Sequence, residues 1–280
     1  PEYPFPRYTG GSLSGKSLLL HAEQGLGDAI HFIRYAQLAT RAGARVLFHC
    51  PSALCKLFDH LPFINQIIPI TSAAPRCDFY LPLMSAPHIF QTRLETIPRG
   101  TPYITPDPKL IEQWKTWLSQ QPGRLKVGIV WQGSPDHPAD WQRSLPFRAL
   151  EGLAHDDITF IPLQVGHGRE QLDGRTVLNI ADPGEQLDRD SGPFMDTAAI
   201  MSQLDLVIGS DTAVIHLAGA LHVPTWVALS VSPDWRWMLN RDDSPWYPSM
   251  KLFRQSRCGN WAEVIQAMGK LLESVEPHNL

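Results

Sequence analysis

The chain has 280 residues, which at roughly 150 residues per domain predicts two domains. Its 43% hydrophobic and 19% charged residues are typical of a globular protein and exclude a disordered one. The formal net charge of −4 argues against nucleic acid as the main partner, because nucleic-acid binders carry a clustered basic face. No apolar run approaches the ~18 residues that span a bilayer, so we expect no transmembrane segment.

The first residues, 1–6, contain neither the basic nor the apolar region of a signal peptide. The four cysteines form no CxxC pair and match no zinc spacing, so we expect reduced thiols in the cytoplasm. The chain does not begin with Met, which predicts that it is a piece of a longer protein.

The first half of the chain alternates predicted strands and helices. Residues 17–22 form a strand, 23–28 a glycine-bearing loop, and 29–42 a helix that Gly43 ends in the C′ position. Further strands are predicted at 45–50, 66–70 and 79–83, with a short helix at 52–60. Such alternation implies a parallel sheet with right-handed crossovers.

Four prolines between Pro98 and Pro108 predict a chain crossing between two domains, because proline fixes φ and removes a donor. The second half repeats the alternation. Helices are predicted at 110–120, 214–221 and 261–275, and strands at 126–131, 159–163, 176–179, 204–208 and 225–229. The sequence thus predicts an α/β protein with two Rossmann-like domains that face each other across a cleft.

A first candidate site follows the first predicted strand, at Gln24-Gly25-Leu26-Gly27-Asp28. Ligands of open α/β sheets bind outside the carboxyl ends of the strands. Gly25 and Gly27 allow close approach of the backbone, and the helix N-terminus that follows favours an anion. Asp28 fits two roles, a helix N-cap or a general base at the cleft. The motif is not GxGxxG, which disfavours a dinucleotide.

A second candidate site follows the strand at 126–131, at Gln132-Gly133-Ser134, with Arg143 further along the chain. Ser134 can donate a hydroxyl hydrogen bond, and Arg143 can pair bidentately with phosphate. For Arg143, an exposed side chain without a ligand is an equally good interpretation.

The third and most specific motif is Ser210-Asp211-Thr212, which follows a buried strand and forms a turn and N-cap. The free N–H groups of Thr212, Ala213 and Val214 would point at a bound anion, where the helix dipole adds favourably. His216 lies on the first turn and can donate to a phosphate or sugar oxygen. A structural histidine is the alternative, but the coupling to this turn favours the ligand.

These motifs together carry a resemblance to known proteins. Gly27-Asp28, Arg143 and Asp211-Thr212-x-x-x-His216-x-Ala218-x-Ala220 resemble the ADP-heptose:lipopolysaccharide heptosyltransferase family. The stretches 21–28, 203–208, 233–237 and 243–255 look closer still to the glycosyltransferase-like domain that follows tetratricopeptide repeats in many bacterial proteins. The similarity covers residues 15–272.

The resemblance implies a GT-B fold. Residues 1–107 would form the acceptor-side domain, residues 108–257 would bind the nucleotide sugar, and residues 258–280 would return as a helix to the N-terminal domain. The implied activity is that of a metal-independent glycosyltransferase of the hexosyl- or heptosyltransferase type. It would need no cofactor, would transfer sugar from a nucleotide-sugar donor to a protein or glycan acceptor, and would be fused to a tetratricopeptide-repeat region.

The resemblance also assigns roles to residues. Asp28 would deprotonate the acceptor hydroxyl, and Arg143 would bind the diphosphate, which such an enzyme must neutralise without a metal. The full set of predicted donor contacts is Gly25, Gly27, Gln132, Ser134, Arg143, Gln164, Asp211, Thr212, Ala213 and His216.

Two further motifs have structural interpretations. Asp188-Arg189-Asp190 matches the metal-binding DxD of another glycosyltransferase class, but it lies in a loop bounded by Gly and Pro, which predicts solvated charges and no metal. Trp235, Trp237, Trp246 and Tyr247 are predicted to form a packed cluster near the cleft, with a sugar platform as the alternative.

Two other functions use the same phosphate site. A nucleotide-sugar epimerase or hydrolase would need no acceptor, but such enzymes present several carboxylates and histidines in the cleft, whereas here Asp28, Asp211 and His216 stand out. A non-catalytic binding or interaction module would keep the fold without turnover.

Overall fold

The computed structural model describes residues 3–277. Within them, nine strands form two sheets in which all strand pairs are parallel, one sheet from each half of the chain. The predicted α/β architecture is therefore confirmed. No helix within residues 3–277 is both long and apolar enough to cross a membrane.

The first sheet has the strand order β3-β2-β1-β4. Its strands are β1 (Ser17–His21), β2 (Arg45–Cys50), β3 (Gln66–Pro69) and β4 (Phe79–Pro82). The helices of this half are α1 (Leu26–Phe32), α2 (Tyr35–Arg41), α3 (Cys55–Phe58) and α4 (Ala86–Ile89). Almost all of β1 is buried, which is typical of a parallel strand covered on both faces.

The single helix predicted at 29–42 is wrong, because the structure contains α1 and α2 with a break at Arg34. The Arg34 side chain is buried, and its Nε donates to the carbonyl of His31 at 2.8 Å. In a continuous helix that carbonyl would accept from the N–H of Tyr35. The Arg34 side chain therefore takes a backbone acceptor that the helix would otherwise use.

The second sheet has the strand order β6-β5-β7-β8-β9. Its strands are β5 (Leu125–Val130), β6 (Ile158–Pro162), β7 (Leu206–Ser210), β8 (Thr225–Leu229) and β9 (Met250–Arg254). The helices of this half are α5 (Pro108–Ser119), α6 (Asp140–Arg143), α7 (Met195–Met201), α8 (Ala213–Ala220) and α9 (Trp261–Leu272). The strand predicted at 176–179 is not formed; a single bridge joins Ile180 to Phe160.

Helix α9 differs from the expectation that it returns to the N-terminal domain. Its apolar face, which includes Trp261, Ile265 and Met268, packs against the 3-10 helix Phe147–Leu153 and against β9. These residues belong to one buried cluster whose members all come from the second half of the chain. The helix therefore packs back onto its own half, because the outer face of the second sheet offers a matching apolar surface.

The two halves meet through helices α1 and α8, which pack against each other. A single buried apolar cluster contains residues of both halves, among them Leu18 of β1 and Leu217 of α8. The proline-rich crossing joins the same interface, since Tyr103 N donates to the carbonyl of Ala220 at 2.9 Å. The predicted division at residue 107 thus falls where the two halves share one core, and the boundary itself stays a prediction.

Candidate functional site

A cavity of about 760 Å³ opens between the two sheets, beside the carboxyl ends of β1, β5, β7 and β8. In each sheet, the chain adds strands first on one side of the first strand of that half, β1 or β5, and then on its other side. Such a reversal leaves a crevice outside the carboxyl ends, where open α/β sheets bind ligands. Most of the predicted site residues line this cavity: Gly25, Gly27, Asp28, Ser134, Arg143, Asp211, Thr212, Ala213 and His216.

The other two predicted residues, Gln132 and Gln164, line an adjoining cavity of about 430 Å³. Gln164 is buried; its Oε1 accepts from the backbone N–H groups of Trp131 and Gln132, and its Nε2 donates to the carbonyls of Gln132 and His167. These bonds use both of its N–H donors and both acceptor positions. Gln164 therefore holds the loop after β5 against the loop after β6, and its contact with a donor stays a prediction.

The start of helix α8 lies at both cavities. Thr212 is its N-cap residue, yet the Thr212 side chain makes no capping bond. Its buried hydroxyl has no hydrogen-bond partner among the described residues. The first N–H groups of a helix also lack intrahelical partners and carry the positive end of the helix dipole. This end of α8 thus offers an unused hydroxyl and unpaired N–H groups to an anion.

Gly27 allows α1 to approach the start of α8 closely. A Cβ at Gly27 would lie 3.0 Å from His216 Cδ2 and 3.4 Å from the Cα of Ala213. The second of these atoms belongs to the backbone and cannot rotate away. Gly27 thus has a packing role between the two halves, besides the close approach to a ligand that the sequence predicts.

Asp28 faces the cavity but is not the N-cap of α1. The N-cap is Gly25, and the carboxylate of Asp28, three residues further on, accepts from the Gly25 N–H at 2.9 Å through Oδ2. Its other oxygen, Oδ1, is ion-paired with Arg236 Nη2. Asp28 therefore has a partner on each oxygen, one from its own helix and one from the other half of the chain.

Arg236 lines the cavity and was not predicted as a site residue. It lies in the 3-10 helix Trp235–Trp237 after β8, and it binds Asp28 through Nη2 and Asp234 Oδ1 through Nη1, the latter at 2.7 Å. Its guanidinium also stacks near the rings of Phe32 and Trp235. The sequence shows that Arg236 lies between two tryptophans, but it does not indicate that its ion-pair partner, Asp28, is 208 positions away.

Arg143 and Ser134 line the same cavity from the segment after β5. Arg143 Nε contacts Asp140 Oδ1 at 3.3 Å, and its guanidinium lies over Gly133, where a Cβ would collide with it. Ser134 is exposed and accepts weakly from Asp136 N at 3.4 Å. Both side chains thus border the cavity, with Arg143 held by one carboxylate.

Burial and neighbouring charges shift the pKa values of two groups that line the cavity, Asp211 and His216. Burial raises the pKa of Asp211 to about 6, and Asp234 adds to the rise, although Arg143 and Arg236 act in the opposite direction. Burial, together with the nearby arginines, lowers the pKa of His216 well below its usual value. At neutral pH, Asp211 is therefore mostly a carboxylate and His216 is uncharged, with His216 Nε2 3.8 Å from Asp211 Oδ1.

Two of the structural interpretations need correction. Trp237, Trp246 and Tyr247 are buried as predicted, but Trp235 is 55% exposed. Asp188 is not a solvated charge, because its carboxylate accepts from the backbone N and the hydroxyl of Thr197. Within residues 3–277, no group of three or more His, Cys, Asp or Glu side chains is arranged to hold a metal ion.

Comparison with known proteins begins with the sequence. No family model matches the chain. The protein FlbA of Caulobacter vibrioides is 26% identical over 286 residues, which cover 93% of this chain and 47% of FlbA. The chain thus spans about half the length of this curated relative.

Solved structures show similarity over most of the chain. A glycosyl transferase family 9 protein from Veillonella parvula has a TM-score of 0.65, 10% identity, and covers 97% of this chain and 93% of its own. The E. coli heptosyltransferase WaaC, solved with ADP, has a TM-score of 0.57 and 11% identity, and covers 92% of this chain and 99% of its own. The chain therefore has the fold of these glycosyltransferases.

Proposed function

We propose that this chain is a glycosyltransferase that uses a nucleotide-sugar donor and a protein or glycan acceptor, without a metal. One observation carries the proposal: the cavity between the sheets brings a carboxylate from the first half, Asp28, together with two arginines and a helix start from the second half. Group transfer from a nucleotide sugar needs a proton acceptor and groups that neutralise the diphosphate in one cavity.

In the proposed reaction, the diphosphate of the donor lies at the start of α8, near Arg143 and Arg236. The acceptor oxygen attacks the anomeric carbon, the bond from that carbon to the diphosphate breaks, and Asp28 takes the acceptor proton. The two guanidinium groups and the N–H groups of α8 stabilise the charge that develops on the leaving diphosphate.

A non-catalytic nucleotide-sugar-binding module is the second candidate function. The Asp28–Arg236 ion pair favours it, since the guanidinium occupies an oxygen that a general base would use. For catalysis, Arg236 has to share this carboxylate with the acceptor or transfer to the donor diphosphate.

The first experiment is calorimetric titration with ADP-, UDP-, GDP- and CMP-sugars, each with and without EDTA. We expect one of them to bind in both conditions. Mass spectrometry then follows the bound donor with and without candidate acceptors. Sugar on the acceptor supports transfer, release of free sugar without acceptor indicates a hydrolase, and binding without any product indicates a binding module. Absence of binding by every donor would overturn both the proposal and the second candidate.

A further inference from the structure

The hydroxyl of Tyr247 joins two buried histidines from different halves of the chain. Its oxygen lies 2.9 Å from Nδ1 of His31 in α1 and 3.0 Å from Nδ1 of His216 in α8. A phenol has one proton, so it donates to one histidine and accepts from the other. The three side chains therefore form a chain of two hydrogen bonds that ends at the cavity, which His216 lines.

Each member of this chain is uncharged. Burial, with the nearby Arg34 and Arg236, lowers the pKa values of His31 and His216 well below 6.5. Burial also raises the pKa of Tyr247 well above 10, so the phenol keeps its proton. Each histidine then carries a proton on one nitrogen, and two arrangements of the protons are possible.

The surroundings of the two Nε2 atoms distinguish these arrangements. If His216 carried its proton on Nδ1, its bare Nε2 would face the carboxylate of Asp211 3.8 Å away, and His31 would bury an N–H that has no partner among the described residues. In the other arrangement, His216 Nε2–H faces the carboxylate, and His31 leaves a lone pair unsatisfied. An unpaired buried N–H is the rarer and costlier defect. The second arrangement is therefore favoured at both ends.

We propose that His31 and Tyr247 are positioning residues that hold His216 as its Nε2–H tautomer, so that His216 presents a neutral hydrogen-bond donor to the cavity. Neighbouring side chains fix the orientation of the Tyr247 and His216 rings. Tyr247 packs against Gly219, where a Cβ would overlap its ring, and lies 4.5 Å under the guanidinium of Arg34. Trp237 stacks on His216 with an interplanar angle of 14°.

The role of the His216 Nε2–H rests on the proposed function. Beside the start of α8, this N–H would bind a phosphate or sugar oxygen of the nucleotide sugar, whereas the other tautomer would turn a lone pair toward that oxygen. The tautomer itself does not depend on any activity and can be measured in the free protein.

The test is long-range ¹⁵N–¹H correlation spectroscopy on protein with ¹⁵N-labelled histidine, in which the two tautomers give different nitrogen shifts. The signals of His216 and His31 are assigned by their loss in His216→Asn and His31→Asn. We expect the Nε2–H form at His216 and the Nδ1–H form at His31. An Nδ1–H form at His216 in the unmodified protein would overturn the proposal without the need for any variant.

Tyr247→Phe removes the hydroxyl and keeps the ring. Neither nitrogen of His31 then has a hydrogen-bond partner among the described residues, so we expect the His31 signals to become those of a mixture of tautomers, whereas the Asp211 carboxylate still favours the Nε2–H form of His216. Tyr35→Phe is the matched control, because Tyr35 is equally buried and its hydroxyl bonds to Thr92. A pure Nδ1–H form of His31 in Tyr247→Phe would refute the role of the hydroxyl. We also expect about tenfold weaker binding of the nucleotide sugar in Tyr247→Phe than in Tyr35→Phe. If no donor binds the unmodified protein, the proposed function fails while the tautomer result still stands or falls by itself.

Discussion

Replacement of Asp28 by Asn separates three roles of this carboxylate: helix capping, ion pairing and proton abstraction. The single oxygen of Asn can still accept from the Gly25 N–H, as Asp28 Oδ2 does, so the capping bond alone predicts almost no change in stability. The ion pair predicts a loss, because the side chains of Asp28 and Arg236 are only 16% and 8% exposed. Removal of one partner from a buried pair costs about 3–5 kcal/mol when the other is left alone.

Arg236 is not left alone in Asp28→Asn, since Asp234 still accepts from it at 2.7 Å. We therefore expect the free energy of unfolding to fall by about 1–3 kcal/mol, less than for an isolated buried pair. At about 2–4 °C per kcal/mol, the midpoint of thermal unfolding should fall by roughly 2–12 °C. If Asp28 is the general base, the transfer rate should also fall by about 10²–10⁴ at saturating substrates.

Asp234→Asn is the matched control for this variant, because it makes the same charge change against the same guanidinium. Asp234 is more exposed, and it leaves the pair with Asp28 intact, so we expect a loss of about 0–1 kcal/mol and nearly normal transfer. Chemical denaturation and initial rates of transfer are measured for both variants. Equal stability of Asp28→Asn and the unmodified protein would refute the ion-pair argument, and an unchanged transfer rate would refute the base.

Three further predictions concern the same cavity. Because the pKa of Asp211 is raised, the folded protein keeps the proton of this carboxyl up to about pH 6, and the free energy of unfolding falls as pH rises from about 4 through 6. Asp211→Asn lacks this loss. Denaturation at pH 4 and pH 7 should therefore show that the stability of Asp211→Asn, relative to the unmodified protein, increases by up to about 3 kcal/mol between the two pH values. Arg143→Ala should weaken nucleotide binding by about 1–3 kcal/mol, and unchanged affinity in calorimetry would remove Arg143 from the site. Gly27→Ala should lower the free energy of unfolding by about 1–3 kcal/mol, because its Cβ would lie 3.0 Å from the His216 ring, which Trp237 and Tyr247 hold in place. Gly174→Ala adds its methyl group to open space, and equal stabilities of the two variants would contradict the close packing.

The strands of this fold could be predicted well from the sequence. The bounds predicted for β2 and β8 coincide with those of the structure, because a buried parallel strand is a short apolar run between polar or glycine-containing turns. β9 was not predicted as a strand, although its Leu252 and Phe253 are buried, since it follows an irregular aromatic segment without a helix between them. The sequence thus predicted a strand correctly where the apolar run was regular and bounded by turns.

The location of the cavity could be predicted for the same reason, whereas the roles of the residues that line it stay predictions. The loops after β1, β5 and β7 were identifiable because each follows a recognisable strand, and the carboxyl ends of parallel strands lie at one edge of a sheet. The prediction for Gln164 named a residue whose hydrogen bonds are all used within the protein. Sequence spacing places a side chain at the edge of a sheet but does not reveal which backbone groups it already satisfies.

Three interactions that no local pattern predicted connect the two halves of the chain. Arg236 reaches Asp28, Tyr247 reaches His31, and Arg34 donates to the carbonyl of Trp246 at 2.7 Å. Each is a polar group buried far from its partner in sequence, and each needs that partner to offset the loss of water. The Asp28–Arg236 pair lines the cavity and Tyr247 also bonds to His216, so residues that hold the halves together also orient Asp28 and His216. Any movement of one half relative to the other therefore changes the surroundings of the predicted base and of the predicted donor contact at the same time.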